Sequence, residues 1–139
     1  MTKDRQKATG KRASRESIRK RWLKWIEGVL NDVTKWSDDE GWSIARGQKA
    51  IEEESLGTYS APTVRIRMPG GDEIHVEPVA WELIGAHGRI NIEAWPALNR
   101  VRLMRRGNDW QIITDSNVPI RQKWNRNTFV QLARDLTGK

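Results

Sequence analysis

The chain contains no cysteine. This absence excludes disulfide bonds, thiolate nucleophiles and zinc sites built on sulfur ligands. Histidine is almost as scarce, because His75 and His87 are the only two, and they lack the i, i+4 spacing that lets two imidazoles of a helix share a metal ion. The sequence therefore predicts neither a metal centre nor a cofactor.

Long apolar runs are also absent. No stretch approaches the roughly 20 residues that a membrane-spanning helix needs, and the basic N-terminus is not followed by the apolar segment of a secretory signal. We therefore expect no membrane span and a cytoplasmic location. A length of 139 residues with 37% hydrophobic residues suffices for one domain with its own core.

The motifs of the common enzyme classes are missing as well. Neither glycine-rich phosphate loop occurs, and the Glu-x-Lys element of magnesium-dependent nucleases is absent. The acidic runs 38–40 and 52–54 lack the spacing of a calcium loop and are typical of solvated element ends. A protein without catalytic residues is the favoured interpretation. A small pocket enzyme using Glu77, Glu93 and His75 is the less favoured alternative.

Tryptophan is abundant, with eight of the ten aromatic residues, and it marks a long helix near the N-terminus. Apolar residues recur every three or four positions from Ser14 or Ser17, either of which could cap the helix, to the stop signal at 37–41. This stripe consists of Ile18, Trp22, Trp25, Ile26, Val29, Leu30, Val33 and Trp36. The spacing predicts one helix face buried in the core.

Short stretches of alternating apolar residues predict strands after this helix. They lie at 42–44, 64–68, 74–76, 89–93, 100–104 and 110–114, with turns at 68–72, 85–88 and 106–109. These connections are too short for parallel crossovers. Asn125 or Asn127 then begins a last helix that ends before Gly138. The predicted fold is α+β, a mainly antiparallel sheet of about five or six strands covered by a long N-terminal and a short C-terminal helix.

The net charge of +7 is unevenly distributed along the chain. The first 24 residues carry ten lysines and arginines against two acids, residues 25–82 are acidic, and residues 83–139 are again basic. We interpret residues 1–14 as a flexible basic arm and residues 15–139 as a single α+β domain. Such an arm can contact a polyanion or can simply keep the protein in solution.

Arginines dominate the strand positions that alternate with the apolar ones, so they should share the sheet face opposite the core. Together with the arm, they form the predicted binding set, which is Lys11, Arg12, Arg15, Arg65, Arg67, Arg89, Arg100, Arg102, Arg105 and Arg106. Guanidinium groups bind phosphates and carboxylates bidentately. The alternative is that Glu77 and Glu93 pair with these arginines across strands and leave no ligand site.

Aromatic residues are few on this predicted face, which disfavours base-specific reading of RNA. Trp42, Trp95 and Trp124 are the candidates for exposed interaction residues, although core packing is the commoner role for tryptophan.

These observations favour a non-enzymatic binding module that contacts a polyanion such as nucleic acid, or an acidic partner, through the arm and the arginine face. One alternative is a protein–protein interaction subunit or inhibitor without a role in nucleic-acid binding. Another is that the basic, tryptophan-containing segment 19–26 lies on a membrane surface.

Overall fold

The structure is a computed structural model that describes residues 2–83, 86–114 and 121–138 and, within these, the side chains of all residues except 2–13 and 86. The elements in chain order are α1 (Thr2–Asp39), β1 (Ser43–Glu53), β2 (Gly57–Arg67), β3 (Glu73–Leu83), β4 (Ala86–Trp95), β5 (Arg100–Arg106), β6 (Asp109–Thr114), β7 (Arg121–Lys123) and α2 (Arg126–Thr137). The predicted α+β class is confirmed.

Helix α1 begins at Thr2, so the expected start at Ser14 or Ser17 was wrong. Both serines are accommodated inside the helix, because the residues before them are mainly good helix formers such as lysine, arginine, glutamine and alanine. The helix thereby includes residues 2–14, and the division of the chain into a flexible arm and a domain stays a prediction. The predicted end is confirmed, since the helix stops at Asp39 before Gly41, whose φ is +78°.

The apolar stripe of α1 faces the core as its spacing predicts. Five of its members are buried, and Ile18, Trp25 and Trp36 pack against the core from partly exposed positions. Helix α2 adds a second apolar face, which includes the fully buried Phe129. Asn125 is its N-cap and forms a capping box with Thr128, and Gly138 ends it with a φ of +74°.

The strands form one antiparallel meander in the order β1-β2-β3-β4-β5-β6-β7. The expected number of five or six strands was therefore too low. The additional strand is β7, whose sequence Arg-Gln-Lys has no apolar alternation and gives no signal. The predicted turn at 68–72 is confirmed, because the Met68 N–H donates to the Asp72 carbonyl at 2.8 Å and Gly70 and Gly71 both have a φ of +97°.

Strand β4 begins earlier than the sequence predicts. His87 and Gly88 belong to this strand rather than to a turn, while Ile84 and Gly85 lie outside the described residues. A register shift between His87 and Arg89 places Gly88, with a φ of +84°, at a bulge. A glycine tolerates this conformation, so the strand continues through the pattern that suggested a turn.

Both helices cover the same face of the sheet. Ile66, Ile74, Ile92, Leu103 and Ile112 point from five neighbouring strands into the cluster that contains the helix residues. The opposite face, which we call the outer face, carries the side chains of alternate residues. Strand β2 pairs with β3 only from Val64 to Arg67. At its other end, Tyr59 and the preceding residue Leu56 are buried and accept hydrogen bonds from side chains of α1.

Candidate functional site

The structure distributes the predicted binding residues over two separate surfaces. Arg65, Arg67, Arg89, Arg100 and Arg102 lie on strands of the outer face. Arg105 and Arg106 instead lie beside helix α1, which also carries Lys11, Arg12 and the exposed Arg15. The side chains of Lys11 and Arg12 lie outside the described part of the chain.

One row of side chains across the outer face combines basic residues with a carboxylate. Arg65 lies opposite His75, His75 lies opposite Glu93, and Glu93 lies opposite Arg100. Opposite charges at directly facing positions stabilise a sheet modestly. This row therefore offers an anion a mixed field rather than a uniformly positive one.

Glu73 neutralises the positive end of this face. Its carboxylate lies 3.0 Å from Arg67 Nη2, 3.6 Å from Arg65 Nε and 2.9 Å from His75 Nε2. The hydrogen bond with His75, followed by that with Arg67, lowers the pKa of Glu73. Of the two glutamates expected to pair with the arginines, Glu77 lies 3.8 Å from Lys49.

The three candidate interaction tryptophans differ widely in exposure. Trp42 is buried, and Trp124 is half-buried against Trp36 and Phe129. Trp95 is 51% exposed at the end of β4, close to Leu98, which is 56% exposed with a φ of +61°. An apolar residue displayed in the left-handed region is uncommon.

The second surface, which we call the basic corner, lies where the middle of α1 meets β3, β4 and the β5–β6 turn. It consists of Arg21, Lys24, Trp25, Trp81, His87, Arg105, Arg106 and Trp110. Trp25 contacts Trp81 with ring centroids 5.1 Å apart and Trp110 at 6.4 Å. The fully buried Trp22, one helical turn before Trp25, also packs against the rings of Trp81 and Trp110.

Arg105 of strand β5 packs against this aromatic cluster. Its Cζ lies 3.9 Å from the centroid of the Trp25 ring and 5.5 Å from that of Trp110, and its Nε donates to the Gly107 carbonyl at 3.3 Å. Partial burial lowers the pKa of Arg105, and the nearby Asp109 opposes this shift. A guanidinium stacked on a ring keeps in-plane N–H groups available for phosphate or carboxylate.

The cations of the basic corner lack the ion pairs that several other cations of the protein form. Arg46 pairs with Glu27, Arg67 with Glu73 and Arg126 with Asp39, at 3.0 to 3.3 Å. By contrast, no carboxylate of the described residues lies within 4.0 Å of the side-chain nitrogens of the corner's four cations. These four are Arg21, Lys24, Arg105 and Arg106.

His87 extends the aromatic surface toward solvent. Its ring stacks on Trp81 with centroids 4.9 Å apart and an interplanar angle of 15°. An open cleft of about 880 Å³ lies here, lined by Ile18, Arg21, Trp25, Trp81, His87, Arg105, Arg106 and Gly107. A second cleft of about 510 Å³ shares Arg21, Trp25 and Arg105 with the first and extends along α1 to Asp32.

Sequence reasoning missed this combination of aromatic and basic side chains. The segment 19–25 interleaves basic residues with Trp22 and Trp25, but the helical stripe explained both tryptophans as core. Arg105 was grouped with the outer face, although it continues the inward-facing series of Val101 and Leu103. Attention to this alternation would have placed Arg105 on the helix side of the sheet.

A buried polar network lies next to the corner and contains the only tyrosine of the chain. The Tyr59 hydroxyl donates to Glu53 Oε2 and accepts a hydrogen bond of 2.9 Å from Trp22 Nε1. Glu53 Oε1 accepts the backbone N–H groups of Trp81 at 2.9 Å and Glu82 at 3.1 Å. Burial, followed by the bond to Glu53, raises the pKa of Tyr59 far above its ordinary value of 10.0, so the phenol stays protonated in alkaline solutions that ionise an exposed tyrosine.

Within the described ranges, no group of three or more His, Cys, Asp or Glu residues is arranged to hold a metal ion. The described helices also include none that is long and apolar enough to cross a bilayer.

Comparison with known proteins gave no match. No family model, no curated protein and no solved structure is significantly similar to this chain.

Proposed function

We propose that this protein is a non-enzymatic binding module that contacts the phosphates of a nucleic acid through the basic corner and the basic N-terminal half of α1. The observation that carries the proposal is the group of four corner cations that have no carboxylate of the described residues within 4.0 Å. A protein cation that is already paired must lose its partner before it binds a phosphate. The corner cations do not have this cost.

The rest of α1 supports the same site. Arg15, Lys20, Arg21 and Lys24 are exposed between residues 15 and 24 of this helix. Their positive potential adds to that of Arg105 and Arg106, and such a field attracts a polyanion in a manner that depends on salt. The outer face is the weaker candidate, because Glu73 already holds Arg65 and Arg67.

Two triple variants with the same change in net charge test this proposal. The corner variant carries Arg21→Gln, Lys24→Gln and Arg106→Gln, and the outer-face control carries Arg65→Gln, Arg67→Gln and Arg100→Gln. Binding of a fluorescently labelled DNA duplex is measured by anisotropy at several salt concentrations. Each lost phosphate contact lowers the slope of log affinity against log salt by about 0.9.

We expect the corner variant to lose about 2 to 3 units of this slope and most of its affinity. The outer-face control should retain most of both. Equal losses in the two variants would show a response to net charge alone and would refute the assignment to the corner. Absence of binding by the unmodified protein would refute the function itself.

A second candidate function is protein binding at the β4–β5 turn, favoured by the exposure of Trp95 and Leu98. Exposed tryptophans are frequent hot spots of protein interfaces. Truncation of Trp95 to alanine should then abolish capture of a partner, and this loss should persist at high salt. Trp42 is buried and Trp124 is half-buried, so Trp95 is the most exposed of the three candidate tryptophans and the one to change. Capture that survives the truncation would exclude this candidate.

A further inference from the structure

We propose that the larger cleft of the basic corner binds a single-stranded segment of nucleic acid, with one base stacked on His87. This inference rests on the proposed function and specifies which form of nucleic acid the corner accepts. Its basis is the combination in one cleft of an exposed aromatic ring and cations that flank it.

The His87 ring is held as a platform. Trp81 covers one of its faces in a nearly parallel stack, and Trp81 is itself only 8% exposed and fixed against Trp22 and Trp25. Because His87 is exposed, its accessible area lies on the opposite face and at the ring edge. A base that stacks there extends an aromatic column that is already ordered.

The lining of the cleft suits a nucleotide in charge and size. Arg21, Arg105 and Arg106 line the cleft together with His87, and the described lining of the cleft contains no carboxylate. Its volume of about 880 Å³ falls in the range of pockets that bind small ligands. The second cleft ends at Asp32, which repels phosphate, so the larger cleft is the one that receives the nucleotide.

Single strands fit this arrangement better than duplexes for a geometric reason. The faces of bases in a duplex are covered by neighbouring base pairs, whereas an unpaired base can turn out and stack on a side chain. Proteins that bind single strands combine such aromatic platforms with a basic groove. The cleft provides both elements, with His87 from β4 and the cations from α1 and β5.

The test uses the full chain and compares two labelled probes of equal strand length, a single-stranded oligothymidylate of roughly ten nucleotides and a duplex. We expect the single strand to bind more tightly than the duplex. Changing His87→Ala should weaken single-strand binding by about 5- to 150-fold, which is the range for loss of one stacked base. Duplex affinity should change less than about twofold by the same reasoning.

His87→Phe is the matched variant, because it keeps an aromatic ring and removes the imidazole nitrogens. We expect it to retain single-strand affinity within a few fold, whereas a role of His87 in charge or hydrogen bonding would make it behave like the alanine variant and would overturn the inference. Circular dichroism establishes that both variants fold.

Two further outcomes separate the inference from the proposed function. If His87→Ala binds the single strand as tightly as the unmodified protein, while the corner triple variant loses both probes, the stacking site is refuted and the phosphate-binding corner stands. If the corner triple variant binds both probes normally, the proposed function is refuted together with the site.

Discussion

Replacing Tyr59 by phenylalanine removes one oxygen atom from the network that joins β2 to α1. The ring keeps its volume, so no cavity of side-chain size forms. Trp22 is 0% exposed, and its Nε1–H would lose its acceptor at a place that water does not reach. Glu53 would lose one of its three donors but would keep the backbone N–H groups of Trp81 and Glu82.

The magnitude follows from these contacts. A buried donor left without a partner costs about 1–3 kcal/mol, and loss of a hydrogen bond to a carboxylate adds to this cost. We expect Tyr59→Phe to lower the free energy of unfolding by about 2–3 kcal/mol. With a typical denaturant dependence, the midpoint of urea unfolding falls by about 1 M.

The assay is equilibrium unfolding in urea, followed by circular dichroism. Ser60→Ala is the matched control on the same strand, because the Ser60 hydroxyl forms a hydrogen bond of 2.9 Å with Gln48 at an exposed position. We expect its effect to remain within about 0.5 kcal/mol. A Tyr59→Phe variant that is as stable as this control would refute the view that burial makes the network important.

Three further predictions concern ionisation and packing. The native protein should show no tyrosinate absorbance from its single tyrosine just above pH 10, and a normal absorbance titration of the folded protein would contradict this. The free energy of unfolding should fall as the pH rises past 10, because the unfolded chain ionises Tyr59 near its ordinary pKa of 10.0 while the folded chain does not. The free energy of unfolding should also fall as the pH drops below the ordinary Glu73 pKa of 4.5, since the folded-state pKa of Glu73 is lowered. Glu73→Gln should flatten this part of the pH profile of urea unfolding. An unchanged profile would speak against the pairing of Glu73 with His75 and Arg67. Gly88→Ala should lower the free energy of unfolding in urea by about 1–3 kcal/mol, because Gly88 has a φ of +84° and a Cβ there would lie 3.0 Å from the Trp22 ring. Gly107→Ala, at a φ of +59° with open space around it, should show only the cost of the positive φ. Equal losses in the two variants would exclude a contribution from the contact with Trp22.

Local patterns predicted the elements that depend on neighbouring residues. The apolar spacing from Ile18 to Trp36 identified the buried face of α1, and Asn125 and Gly138 marked the ends of α2. Six strands followed from alternation. Strand β7 did not, because pairing with β6 holds its three polar residues in an extended conformation that their side chains do not signal.

The sequence by itself determined the α+β class, the antiparallel order and the outer-face position of Arg65, Arg67, Arg89, Arg100 and Arg102, because helical and strand periodicities and short connections are local properties of the chain. Only the tertiary structure decided which cations lie close to one another. Packing of α1 across the sheet brings Trp25 to Trp81 and places Arg105 over the Trp25 ring, a contact between residues far apart in sequence. The same packing leaves the corner cations without a carboxylate of the described residues within 4.0 Å, while Glu73 neutralises two arginines of the outer face. Charge pairing depends on distances of a few ångströms across elements, and no pattern along the chain specifies such distances.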